Sequence, residues 1–225
     1  MPNPNFAIFL TLLGLAWSLP TPAPAAEPSH AEGAVNLEAR GLYDIVQNGL
    51  SGPCTPVTIV FARGTAEPGN VGLLAGPPFF GALGNLIGSG NIAIQGVDYP
   101  ASIPGYLVGG SPDGSTKFAQ LVSQAATQCP QTQIVVGGYS QGAQVVHNGL
   151  KQTPANVAAR INAAVLFGDP YDGQALQGVS ADDTVTYCFD DDLICKGDPI
   201  VLPAHLSYSL DAGSAAAFVA GKVQV

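Results

Sequence analysis

The chain has 225 residues, 47% of them hydrophobic and only 10% charged, with a formal net charge of -9. This length suits one domain with a large core rather than two full domains. With 7 Lys+Arg and no basic stripe the chain is not a nucleic-acid binder, and beyond the N-terminus no apolar run approaches the roughly 20 residues of a membrane span.

In chain order, Phe6 to Trp17 is an apolar stretch too short to span a membrane. It is followed by Ser-Leu-Pro-Thr-Pro and the small-x-small sequence Ala23-Pro24-Ala25. That pattern predicts a secretory signal peptide over 1–25, although no Lys or Arg precedes it. Residues 26–35 read as a leader or short pro-segment, and 36–225 as the globular domain. A secreted, extracellular chain with four cysteines (Cys54, Cys129, Cys188 and Cys195) is expected to hold two disulfides, and four cysteines allow three pairings. Metal-ligand spacings such as C-x-x-C are absent, so a Cys-His metal site is not expected.

A first helical pattern covers Asn36–Asn48, with Leu37, Leu42, Ile45 and Val46 at apolar positions. Strands are predicted at Val57–Ala62, Ile92–Val97, Gln133–Gly137, Ala163–Phe167 and Thr184–Tyr187, each short, rich in Val and Ile or β-branched residues, and bounded by turn residues. Continuous apolarity in most of them predicts a parallel sheet covered on both faces. Helices are predicted between and after them at Phe79–Ile87, Ser115–Thr127 with Ser115 as cap, Gln141–Lys151 and Ala212–Val223. The alternation specifies an α/β, three-layer αβα sandwich, in which reactive groups gather at the carboxyl ends of the strands.

The central motif is Gly138-Tyr139-Ser140-Gln141-Gly142, placed between a strand and a helix. In that setting G-x-S-x-G is a nucleophile elbow: small residues two before and two after the serine leave room for a tight crossing, and the helix N-terminus points at the hydroxyl. A serine needs a base. Of three histidines, His30 lies in the leader, and His147 is seven residues beyond Ser140 on the same helix, about 10 Å along its axis. His205 remains as the candidate base. Eight aspartates lie between Ser140 and His205. Asp169 closes a strand, and Asp190, Asp191 and Asp192 share the segment between Cys188 and Cys195, so spacing leaves the acid open. The order Ser, Asp, His is that of α/β-hydrolases. For a developing oxyanion, the Gln141 N–H supplies one donor, and Arg63-Gly64-Thr65 after the first strand supplies a second at Thr65, with Arg63 read as a structural ion-pair partner.

These pieces together resemble the cutinase family, a lidless branch of the α/β-hydrolases. The matching sequences are Cys54 followed by VTIVFARGT, GNVG at Asn70, IQGVDYP at Ile94, Cys129-Pro130, GGYSQG at Gly137, and the Cys188–Cys195 segment leading to Pro203-Ala204-His205-Leu206. The resemblance covers about 36–225. It implies a central parallel sheet of about five strands, Ser140 as nucleophile, Asp192 as the acid, His205 as the base, and Thr65 and Gln141 as the oxyanion hole. It also implies disulfides Cys54–Cys129 and Cys188–Cys195, and a serine esterase acting on insoluble polyester or small esters without a cofactor. No stable membrane insertion is expected, and a monomer is the default. FGDP after the fourth strand and the Gly- and Pro-rich segment Tyr99–Asp113 depart from plant-pathogen cutinases, and the latter is expected beside the active site. Apolar Ile200, Val201 and Leu206 around His205 are candidate acyl-chain contacts and favour an aliphatic acyl group. Acetylxylan esterase is the alternative substrate reading. A non-catalytic wax- or polyester-binding surface protein is the alternative of another class.

Overall fold

The computed structural model describes residues 41–225. The signal-peptide, leader and His30 expectations, and the first part of the predicted Asn36–Asn48 helix, lie outside them. Five parallel strands form the sheet: β1 (Val57–Ala62), β2 (Ile92–Gly96), β3 (Gln133–Tyr139), β4 (Ile161–Phe167) and β5 (Thr184–Tyr187), in the spatial order β2-β1-β3-β4-β5. Six α-helices that lie wholly among the described residues accompany them: α1 (Gly76–Ile87), α2 (Ile103–Leu107), α3 (Pro112–Gln128), α4 (Gln141–Leu150), α5 (Ala155–Ala158) and α6 (Ala212–Ala220).

The strands read as continuously apolar because each face of the pleat meets its own layer of helices. Val57, Ile59 and Phe61 of β1 pack with Val135, Val165 and Phe167 beneath α1 and α6, through Phe79, Phe80, Ala216 and Val219. Val60 and Ala62 pack with Val136, Ala164 and Leu166 on the opposite face, beneath α3 and α4, through Phe118, Val122, Val145 and Leu150. Side chains of a strand alternate between faces, so a chain buried on both sides shows no polar alternation. The predicted three-layer sandwich is the observed one.

The chain runs from β1 to β2 on one side and then crosses to β3 on the other side of β1. The strand order therefore reverses between β1 and β3, and the loops leaving their carboxyl ends diverge to open a crevice there.

Several boundaries differ from expectation, each for a local reason. Most of the described part of Asn36–Asn48 is not helical. The Ile45 carbonyl accepts from the Asn70 and Val71 N–H groups, Asn70 Oδ1 accepts from the Gln47 N–H, and Asn48 bridges Gln95 in antiparallel sense. Backbone groups committed to a neighbouring loop and to the β2 edge are unavailable to a helix. α3 begins earlier than Ser115 because Ser111 is its cap, accepting from the Gly114 N–H at 3.2 Å, with Pro112 in the first turn. Ser115 instead lies inside the helix and donates to the Ser111 carbonyl. β3 runs on to Tyr139, and α6 stops at Ala220. The short α2 inside Tyr99–Asp113 went unread because only a Ser102 cap and a proline mark it.

Both disulfides join the pairs that the family resemblance implies. Cys54–Cys129 closes a sequence separation of 75 residues and ties the entry of β1 to the end of α3. Cys188–Cys195 closes a loop of 7. Constraint of the unfolded chain grows with loop length. Replacing Cys54 and Cys129 together by Ser should lower the free energy of unfolding by about 4 kcal/mol, read by urea denaturation.

Candidate active site

The elbow begins with a steric constraint. A Cβ on Gly142 would run into the Ala62 carbonyl, and one on Gly138 would meet the backbone of Gly142 at 2.5 Å. With hydrogen at both positions, α4 crosses tightly over the ends of β1 and β3. Ser140, at the crossing, is held at φ 57°, ψ -121°. Such a conformation costs a non-glycine residue on the order of 1–3 kcal/mol. Ser140 N–H donates to the Phe167 carbonyl at 2.9 Å, extending the β3–β4 ladder into the turn.

The His205 ring lies beside it. Its Nε2 is 2.9 Å from Ser140 Oγ, and its Nδ1 is 2.7 Å from Asp192 Oδ2. Asp192 and His205 are buried, and Ser140 is 6% exposed. A buried carboxylate needs donors, and Asp192 has them. Besides the ring, Oδ2 accepts from Tyr208 OH at 2.6 Å, and Oδ1 accepts from the Ile194 N–H at 3.0 Å. Nδ1 donates to the carboxylate in this arrangement, which leaves the Nε2 lone pair facing the serine hydroxyl.

The remaining acid candidates lie elsewhere. Asp190 and Asp191 are exposed on the disulfide loop. Asp169 is buried and 2.8 Å from His147 Nε2, forming a second His–Asp pair behind α4. Its other oxygen accepts from the Tyr171 N–H at 2.9 Å.

Three residues that sequence reading passed over hold the His205 loop. Tyr139 OH donates to the His205 carbonyl at 2.7 Å. Tyr208 is fully buried, stacked on Phe189 at 4.9 Å. Burial first, and then its hydrogen bond to Asp192, push the Tyr208 phenol well above its ordinary range, so it stays a donor. Gly168 (φ 54°) faces the histidine ring, and a Cβ there would lie 2.8 Å from its Cε1. That contact and the positive φ account for the glycine of FGDP, and the glycine itself was the one available sequence signal.

Thr65 stands at the β1 side of the crevice. Its Oγ1 accepts from Gln141 Nε2 at 2.8 Å, and the same amide donates to the Ser102 carbonyl. The Gln141 N–H is one of the orphan donors of a helix start, and the Thr65 N–H has no acceptor among the described residues. Arg63 differs from its expected role as an ion-pair partner. Its guanidinium donates to the carbonyls of Glu67, Val97 and Tyr99 and lies 5.0 Å from the Tyr99 ring centroid.

A cleft of about 300 Å³ opens above Ser140 and His205. Ile103, Tyr106 and Leu107 of α2 form one wall, and Val201 and Leu206 the other. The segment Tyr99–Asp113 thus borders the cleft. Ile200, expected as an acyl contact, does not line it and is 51% exposed, whereas Pro199 and Val201 on either side do line it. Successive side chains of an extended segment point in opposite directions. Among the described residues no cluster of metal-binding side chains occurs, and no helix is long and apolar enough to cross a membrane.

A family model described as Cutinase matches residues 53–223. A cutinase of Botryotinia fuckeliana is 50% identical over 166 residues, which cover 74% of this chain and 82% of that protein. The solved structure of a Trichoderma reesei cutinase in complex with a C11Y4 phosphonate inhibitor is 41% identical with a TM-score of 0.76, covering 86% of this chain and 90% of the other. An acetylxylan esterase structure aligns at 20% identity with a TM-score of 0.62, covering 76% of this chain and 100% of that one, a likeness of fold alone.

Replacing Tyr208 by Phe keeps the ring contacts but removes a donor from a buried carboxylate. The substitution should lower unfolding free energy by about 2 kcal/mol, measured by urea denaturation at neutral pH.

Proposed function

The chain belongs to the cutinase family and is a serine esterase, and on that premise we propose that it is a secreted, monomeric cutinase. Its substrates are cutin-type polyesters and short-to-medium-chain esters. The observation that carries the mechanism is the chain of contacts from Ser140 Oγ through His205 (2.9 Å) to Asp192 (2.7 Å) at the floor of an apolar cleft.

Ser140 Oγ attacks the ester carbonyl while His205 Nε2 takes its proton. Asp192 holds the ring in that tautomer and stabilises the imidazolium. The carbonyl oxygen, now an oxyanion, receives the N–H groups of Thr65 and Gln141. Because the Gln141 side-chain amide donates to Thr65 Oγ1, the hydroxyl hydrogen is free to turn to the oxyanion as a third donor. Collapse breaks the bond to the alcohol oxygen, which leaves with the proton from His205. Water, deprotonated by the same imidazole, then adds to the acyl carbon, and the acid leaves as the imidazolium returns that proton to Ser140 Oγ.

The walls favour an aliphatic acyl chain. Ile103, Leu107, Val201 and Leu206 are each at least half exposed while lining the cleft, which suits a substrate presented as an apolar surface. An acetylxylan substrate would leave most of that apolar area in contact with hydroxyl groups. The two disulfides support an oxidising, extracellular setting.

Hydrolysis of p-nitrophenyl esters from acetate to palmitate should favour short-to-medium chains, with Ser140→Ala inactive. Turnover of acetate alone would favour acetylxylan esterase. Absence of turnover together with no labelling by a serine-directed phosphonate would leave the non-catalytic binding reading. The rate should fall in acid, because a protonated His205 lacks the lone pair that activates Ser140. A profile flat well into acid would contradict that role. Thr65→Val should lower kcat on the order of 10²-fold, with KM little changed.

A further inference from the structure

We infer that Glu67 is a positioning residue that presets the oxyanion loop, an inference that rests on the reading of Thr65 as an oxyanion donor. Glu67 lies two residues after Thr65, and its carboxylate closes the loop on itself. Oε2 accepts from the Gly64 N–H at 2.7 Å. Oε1 accepts from the N–H groups of Leu73 and Leu74 at 2.8 and 2.9 Å. Donors from both ends of the 64–74 loop thus converge on one side chain, which also lines the cleft.

The surroundings are shaped to this carboxylate. A Cβ on Gly72 (φ 74°) would overlap it, and one on Gly64 would come within 3.3 Å of its Oε2. The backbone of Glu67 is fixed as well. Its carbonyl accepts from Arg63 Nε at 2.8 Å, and its N–H donates to the Gly64 carbonyl at 3.3 Å. On the other side of Thr65, Ala66 adopts φ 60° and donates its N–H to the Ala101 carbonyl at 2.8 Å. Thr65 is therefore suspended between two clamped residues, Gly64 held by Glu67 and Ala66 held by Ala101.

The chemistry requires a carboxylate rather than an amide. Both oxygens accept, from opposite ends of the loop, and a glutamine has only one acceptor oxygen. Its NH₂ would face either the Gly64 N–H or the pair at Leu73 and Leu74, donor against donor. The loop would relax at that point, and Thr65, adjacent to Gly64, would leave its place. Oxyanion donors act only when already aimed at the oxygen, so the loss falls on the transition state rather than on substrate binding.

The test is a double-mutant cycle on p-nitrophenyl butyrate hydrolysis by the full chain, with Glu67→Gln, Thr65→Ala and the pair. Glu67→Gln should lower kcat by about 10- to 100-fold with KM within about twofold. Thr65→Ala should cost about 10²-fold in the wild-type background but under about tenfold when Gln stands at 67, because the hydroxyl is then already misplaced. An equal cost in both backgrounds, or a raised KM with kcat preserved, overturns the inference and makes Glu67 a purely structural clamp or a wall of the cleft. Glu67→Asp keeps two charged acceptors and should recover part of the kcat lost in Glu67→Gln. If the Gln variant is unfolded by circular dichroism, the same cycle run with Asp decides. Full activity of Thr65→Ala alone would sink the reading of the Thr65 hydroxyl as an oxyanion donor, a result distinct from additivity.

Discussion

The structure is organised by how closely α4 approaches the end of β1. That distance is set by the missing side chain of Gly142 against the Ala62 carbonyl. Once the helix start lies there, the residue joining β3 to α4 has no relaxed conformation available, and Ser140 takes φ 57°. The strain, on the order of 1–3 kcal/mol, is offset by burial of the same helix through Ala143, Val145, Val146 and Leu150. At about 1.5 kcal/mol or more per buried aliphatic side chain, that packing is ample. The reversal of strand order falls at this same place, so β1 and β3 send their loops apart and the serine stands in the gap with the helix N-terminus behind it.

The second half of the site comes from 65 residues away in sequence, and a loop carrying a buried imidazole and a fully buried carboxylate needs strong anchoring. It has four kinds. The Cys188–Cys195 bridge shortens the Asp192 loop. The Tyr139 hydroxyl holds the His205 carbonyl, the Tyr208 hydroxyl holds the Asp192 carboxylate, and Gly168 admits the ring edge. Tyr139 is the residue before Ser140, so the elbow strand itself fastens the loop that brings His205. A displacement of one part is felt by the other, which is how groups distant in sequence are kept within hydrogen-bond distance without substrate present.

What could be read in advance follows from which constraints are local. Double-faced burial writes itself along each strand, so the sheet was legible from VTIVFA, QIVVG and AVLF. The elbow was legible because its glycines are spaced by a short-range steric requirement. His205 emerged because the other two histidines were excluded by position. The acid could not be chosen by spacing among Asp169 and Asp190 to Asp192, since Asp169 is equally buried and also faces a histidine; only the likeness to a family separated them. The helical reading of 42–48 failed because its apolar spacing was right for a helix while its backbone partners, Asn70 and the β2 edge, lie 23 or more residues away. Ile200 failed for a similar reason: apolar character does not say which side of an extended segment faces the cleft.

The wall of the cleft and the proposed oxyanion donors are built from the same contacts. The Gln141 side chain joins Thr65 Oγ1 to the Ser102 carbonyl, at the cap of α2. Beyond α2, the Gly109 carbonyl accepts from both Tyr171 OH at 2.8 Å and Asn148 Nδ2 at 2.7 Å. Asn148 belongs to the elbow helix, and Tyr171 is braced by Asp169. The segment bearing Ile103 and Leu107 is thus fastened at both ends to residues that also hold the site. Gln141 Oε1 is left buried without a partner, an arrangement that costs about 1–3 kcal/mol and that an apolar side chain would avoid. The cost is intelligible if the amide is retained for what its NH₂ does: it occupies the Thr65 oxygen and fixes the α2 wall of the cleft in the same act. A polar group that joins this wall to Thr65 ties the shape of the cleft to the position of the loop that carries the proposed oxyanion donor.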